Sequence, residues 1–588
     1  MALLFLALTG TALLQALSLG GFGQVLTADE HFALGLEAYE QQDYPQAIEH
    51  FDEAVEEEPS LAKAHLYLGV AYYGSGQLDN AKASLDQALT LDPGQAEAYL
   101  YRGLLLARIG QTEKANVDLL EATSLGAGTA EANHQLALGW ASLGQNDYAL
   151  VALNRALELD PDYTEAYRAR GQTLYELGQL DRAIADYTAA LAQDPNHLQT
   201  LFQRGLAYFD NGQPERAIED WSAALAQQPD HLDALFDRGQ AYRVLGDYDK
   251  AIADLSLLLQ LSSQNASAYN SRGLARLGEE DPDRAIEDFS KAIVIDPSYA
   301  EAHYNLGNAL RLQGKLEEAL ASYQRAIALN DSFAEAYVNQ GAVFAQLDEP
   351  QLALESYSEA IQRSPNMVSA LINRANLYFN IGETQKAIDD CGRALALDPT
   401  DAQAYLLRGL SYSRLGEYEG AISDFSELIA LQPGEADGYN QRAAAYFRSG
   451  ALEQALADWT TTITLQPEFA GGYHDRALVY RSLGDEESAL RDLDLSIELD
   501  PEFAEAFFAR GNLFFEQGKL EAAGADYDQA LQLDEGFAAA RFNRSLVYLR
   551  WNRITAAVEG LRLVVETADD EELRQEAVDL LKDLGATP

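Results

Sequence analysis

Eight histidines and one cysteine are the side chains here best suited to metal or nucleophilic chemistry. No two of the histidines stand three or four residues apart, the spacing that aims two imidazoles at one ion from a helix. Cys391 is the only cysteine, so neither an intrachain disulfide nor a thiolate metal cluster can form. Carboxylate pairs abound, but with 93 acidic against 41 basic residues most are solvated surface. The glycines recur at regular intervals rather than gathering in a phosphate-cradling loop, and no nucleophile–base constellation is legible. The chain reads as non-catalytic, with no cofactor and no metal. A formal charge of -52 repels phosphate backbones, which argues against nucleic acid as a partner.

What does recur is a period. Counting from Ala28 in steps of 34, alanine occupies the twentieth position of sixteen successive units, from Ala47 to Ala557, with no insertion or deletion. Within a unit, positions 4, 8 and 11 form one apolar or small stripe (Tyr405, Gly409, Tyr412), and positions 20, 24 and 27 a second (Ala217, Trp221, Ala224). Both have the 3-to-4 spacing of an amphipathic helix. Glycine at position 15 separates them in twelve units and proline at position 32 ends the second in eleven. Small residues at 8 and 20 let the two backbones approach, and a hairpin with two apolar faces must stack on its neighbours. The expected fold is all-α: a solenoid of helix-turn-helix units over 28–571, closed by a capping helix within 572–588.

These residues resemble the tetratricopeptide repeat family across 544 of 588 residues. The resemblance implies a right-handed superhelix with the first helices lining an inner groove, and a scaffold or adaptor that binds extended segments or helices of partner proteins there. The alternative it leaves is a chaperone-like assembly or secretion factor for precursor proteins.

Arginine at position 7 departs from the family pattern, which is apolar there. It occurs in eleven units, and ten of those carry aspartate at position 23, among them Arg170 with Asp186, Arg204 with Asp220 and Arg408 with Asp424. None of the five units without the arginine has that aspartate. Positions whose numbers sum to about thirty face each other across an antiparallel hairpin, as 8 faces 20. The spacing therefore predicts an ion pair inside each such unit, a structural device rather than a basic ligand-binding row.

Three features lie on positions that the resemblance assigns to the groove. Asn305, Asn339 and Asn373 occupy position 6 of three consecutive units, with Asn308 and Asn376 at position 9. Side-chain amides both donate and accept, so such a row can grip a peptide backbone, and it resembles the asparagine ladder of the O-GlcNAc transferase superhelix; the other reading is solvated polar filler. Phe508, Phe515 and Phe542, like Phe202, Phe209 and Phe236, fall at positions 5 and 12, as partner anchors or as packing between units. Arg414, Arg448 and Arg481 form a short basic row, suited to an acidic peptide or simply solvated.

Residues 2–19 carry no charge, and as a helix they would span about 27 Å. Residues 1–27 read as an export signal or membrane anchor, which would put the protein at the cell envelope. No lysine or arginine precedes Lys63, unlike a signal peptide, and the competing reading is an apolar capping segment on a cytoplasmic protein.

Overall fold

The computed structural model describes residues 26–587. The proposed leader therefore lies almost wholly outside the described residues. Those residues form thirty-three helices and no strand. Each unit is one antiparallel pair, such as Ala96–Arg108 with Thr112–Leu125, and a final helix, Glu571–Asp583, follows the sixteenth pair. Thr27 opens the series with a capping box, its side chain accepting from the Glu30 amide while the Glu30 carboxylate accepts from the Thr27 amide. Among the described residues no helix is long and apolar enough to cross a membrane.

The turn between paired helices follows from one torsion. All sixteen position-15 residues have positive φ; twelve are glycine, and the others are Gln42, Glu280, Asp348 and Asn552 at 57–61°. At Gly110 this lets the Gln111 amide donate back to the Leu106 carbonyl at 2.8 Å, which closes the first helix before the second begins.

The close approach of the pair follows from its small residues. Every position-20 alanine is fully buried. A Cβ added at Gly409, position 8, would stand 2.6 Å from the Phe425 ring at position 24. Alanine on one helix and glycine on the other thus make room for one large side chain between them, and burial of such side chains contributes most of the stability.

The chain divides into two compact units, Met1–Pro297 and Ser298–Pro588. In the first, a core such as that around Trp221 joins Leu235, Leu255 and Leu258 from successive pairs. In the second, the closing helix buries Ala577 and Leu581 against Leu561 and Val564, covering the last pair.

Candidate partner-binding surface

The position-7 arginines tie the two helices of ten repeats together. All ten predicted pairs form as two-pronged contacts. In each, Nε donates to one carboxylate oxygen and Nη2 to the other; for Arg408 and Asp424 the distances are 2.8 and 2.7 Å. Arg170 meets Asp186 at 2.6 and 2.7 Å, and Arg204 meets Asp220 at 2.7 Å twice. All ten aspartates are buried, from Asp288 at 0% exposed to Asp254 at 8%. The Asp186 hydrogen bonds raise the Arg170 pKa, with burial opposing them.

The guanidinium also has a third contact that the sequence reading did not anticipate. Its Nη1 donates to the position-25 side chain of the preceding repeat: Asp86 for Arg102, Asn154 for Arg170, Thr188 for Arg204, and Ser358 for Arg374. Arg544, which has Gly560 in place of the aspartate, keeps this contact alone, to Asp528 at 2.8 Å. Arg408 lacks it because position 25 is Gly392, whose ideal Cβ site lies 3.8 Å from Arg408 Nη1. An aromatic ring at position 4, at position 11 or at both completes the pocket: the Arg442 guanidinium carbon stands 5.9 Å from the Tyr439 centroid and 5.8 Å from that of Tyr446. The clamp thus ties helix to helix within a repeat and repeat to repeat along the stack.

The asparagines are not a row of equivalent free amides. Asn305 is buried, at 8% exposed. Asn339 Nδ2 donates to Asn308 Oδ1 at 2.8 Å and to the Tyr304 hydroxyl at 3.0 Å, and Asn308 Oδ1 also accepts from the Tyr323 hydroxyl at 2.8 Å. The same three-part joint links Asn512, Asn543 and Tyr527 at 2.7 and 2.8 Å. It recurs with glutamines at Gln172 and Gln203 beside Tyr187. An amide at position 9, the next repeat's amide at position 6 and a tyrosine at position 24 therefore form a seam between repeats. Asn339 and Asn308 spend much of their capacity there, in holding one repeat to the next. Asn373 is half-buried, and Asn376 is exposed with one long contact from Asn380 at 3.5 Å.

The phenylalanines are half-buried packing rather than open anchors. Phe508 sits 4.8 Å from Phe537 and 6.1 Å from Tyr527, Phe515 packs on the cluster of Ala523, Tyr527 and Val547, and Phe542 packs beneath the closing helix. Phe202, Phe209 and Phe236 join the Trp221 core. Of the basic row, Arg414 lies 3.6 Å from the Phe379 centroid and donates to that residue's carbonyl, Arg481 stands 3.6 Å from Glu516, and Arg448 is exposed.

Two features on the first helices had no counterpart in the sequence reading. Tyr39, Tyr67 and Tyr101 line a cavity of about 170 Å³ with Leu66, Val70, Glu97 and Glu131. Burial pushes the Tyr39 and Tyr101 phenols up. Tyrosine at position 6 of two successive units, at 67 and 101, was the available signal. Further along, Asp237 is pushed up to about 7 by burial, with Asp233 and Asp210 adding repulsion. Asp210 also accepts from the Tyr175 hydroxyl at 2.6 Å.

Such a stack of helix hairpins, joined by side-chain seams, defines a repeat scaffold, a kind of structure that is typically non-catalytic. Family profiles described as tetratricopeptide repeat or TPR repeat match residues 32–124 and 141–266 in overlapping pieces, then 281–423, 470–503 and 511–550. The chain belongs to the tetratricopeptide repeat family, whose domains generally mediate protein–protein interactions. Among solved structures, yeast Tom70 is 17% identical, with 72% of this chain and 96% of that one covered and a TM-score of 0.36. YrrB, described as a TPR protein with an unusual peptide-binding site, is 30% identical over 32% of this chain and 95% of its own, with a TM-score of 0.29. MamA is 30% identical over 27% of this chain and 94% of its own, with a TM-score of 0.26. No curated protein matches the chain.

Proposed function

We propose that this protein is a non-catalytic scaffold that holds extended or helical segments of partner proteins against its first helices. The observation that carries the reading is the tyrosine-walled cavity between Tyr39, Tyr67 and Tyr101, flanked by Glu97 and Glu131. Aromatic walls with a polar tip bind apolar side chains at low entropic cost, and the two carboxylates favour a basic neighbour on the incoming segment. Reversing both charges, Glu97→Lys with Glu131→Lys, should release partners recovered by the wild-type chain while helicity is unchanged. Recovery of the same partners in the same amounts would refute it.

The amides of Asn373 and Asn376 favour a second reading, a chaperone-like assembly or secretion factor. Amides bind main chain whatever its sequence. Comparable affinity for several unrelated unfolded peptides, lost in Asn373→Ala with Asn376→Ala, is its signature; selectivity for one segment rejects it. The uncharged residues 2–19 support a place at the cell envelope. Envelope fractionation that depends on residues 1–27 tests that assignment, and intact chain in the soluble cytoplasmic fraction rejects it.

A further inference from the structure

The tenth repeat keeps the rings of an arginine clamp without the arginine. Tyr337 and Phe344 stand at positions 4 and 11, whose counterparts bracket Arg442, Arg476 and Arg510 with guanidinium carbons 5.6–5.9 Å from the ring centroids. Position 7 is Gln340 and position 23 is Ser356, joined by one hydrogen bond from the serine hydroxyl to the amide oxygen at 3.2 Å. Of the five repeats without the arginine, this one alone has tyrosine or phenylalanine at both ring positions; the others pair His31 with Ala38, His65 with Tyr72, Asn133 with Trp140, and His303 with Leu310.

A cavity of about 700 Å³ opens at this place. Tyr337, Gln340 and Phe344 line it from the first helix, and Glu355, Ser356 and Glu359 are among seven lining residues of the second. It is therefore a different surface from the first-helix pocket at Tyr39. Two of its carboxylates already have cations. Glu359 is met by Arg363, which stacks 4.3 Å from the Tyr337 centroid and lies outside the lining, and Glu383 is met by Lys386 at 3.3 Å. Among the described residues no cation pairs with Glu355.

We propose that this cavity receives one arginine side chain of a partner protein, which completes from outside the clamp that other repeats complete from within. A guanidinium is flat, permanently charged and forked, so it can lie between two rings while its N–H groups reach a carboxylate; a lysine ammonium matches the charge but not the plane. The Glu355 carboxylate supplies the countercharge that the position-23 aspartate supplies elsewhere, and Gln340 offers its amide oxygen as a further acceptor. The chain's own arginines show that rings at positions 4 and 11, beside a carboxylate, hold a guanidinium.

Saturation-transfer NMR on the full-length protein tests this, with N-acetyl-argininamide as the probe and its neutral citrulline analogue as the control. The arginine probe should half-saturate at a concentration roughly tenfold below that of the citrulline probe. Gln340→Arg with Ser356→Asp fills the slot from within and leaves the net charge unaltered, so loss of the signal in that variant cannot come from weaker general attraction. Glu355→Gln should weaken binding several-fold. Equal binding of the two probes, or undiminished arginine binding by the filled-slot variant, overturns the proposal. If that variant melts below the wild type, Phe344→Leu decides: it removes one ring and leaves Gln340 and Ser356 in place, and undiminished binding again overturns the proposal.

Discussion

Gly392 offers the most direct test of the three-pronged clamp, because nature has removed one prong there. The residue lies inside the helix Thr384–Leu397, and beyond that helix's own backbone and its chain neighbours its ideal Cβ site has only Arg408 Nη1 within 4 Å, at 3.8 Å. In the equivalent place, Ser358 accepts from Arg374 at 2.9 Å and Ser426 accepts from Arg442 at 3.0 Å. Each serine hydroxyl meanwhile donates to the carbonyl four residues earlier, at 2.7 and 2.6 Å, which turns its lone pairs toward the arginine. Gly392→Ala should stabilise the helix by about 1 kcal/mol through backbone entropy alone. Gly392→Ser gains about 0.5 kcal/mol less from that source. It adds a hydrogen bond to a charged donor, for which about 1–1.5 kcal/mol is a fair figure because the arginine is 22% exposed. Serine should therefore exceed alanine by about 0.5–1 kcal/mol, and the order should reverse once Arg408→Leu removes the donor. Long repeat arrays unfold in parts, so the suitable measurement is amide exchange by mass spectrometry over residues 384–415 of the intact chain. Relative to wild type, alanine should slow exchange about fivefold and serine about ten- to thirtyfold. A serine variant no better protected than alanine, or one that keeps its lead without Arg408, would refute the reasoning.

Three further outcomes are expected. Arg408→Leu alone strands the buried Asp424 and should cost about 3–5 kcal/mol, whereas Arg408→Leu with Asp424→Leu should recover most of it, both read by exchange over the same segment. Asn339→Ala should destabilise the joint at Asn308 and Tyr323 by about 1–3 kcal/mol, while Asn373→Ala should be close to neutral; equal effects would show that the seam bonds carry no weight. For Asp237, the folded pKa of about 7 lies above the unfolded value of about 4, so its contribution is fully present below the latter and is lost as pH rises through the former. Asp237→Asn should accordingly raise thermal stability at pH 8 relative to wild type and leave it little changed at pH 4; a larger gain at pH 4 would contradict that sign.

The fold was legible because its determinants are local and repeated sixteen times. Small residues at 8 and 20, a left-handed residue at 15 and proline at 32 each act within one hairpin. The Arg408–Asp424 type of pair was legible for the same reason, since both partners vary together inside one unit. The third prong was not, because its acceptor alternates among aspartate, asparagine, serine and threonine in a different repeat, so no single residue type marks it. The seam at Asn308 and Asn339 was hidden for a related reason: an amide on a first helix has the same appearance in sequence whether it awaits a ligand or bonds to the next repeat. Only the position of the Tyr323 hydroxyl distinguishes the two. The tenth-repeat cavity is defined by what Gln340 does not fill, and a missing volume leaves little trace in a sequence.

The unequal distribution of the position-25 contact bears on how the chain would respond to tension. Within the first unit it links repeats two to three and four through eight, but Leu120 and Leu136 stand at the corresponding places between repeats three and four. Within the second it runs from repeat ten to sixteen, broken only at Gly392, while Gln324 and Gln340 occupy the places between nine and ten. In a nearest-neighbour array the weakest interfaces yield first. Pulled from its ends, such a chain would lengthen in discrete steps, giving way first at seams that lack the contact while the arginine-bound runs still held, and each step would leave the remaining blocks folded.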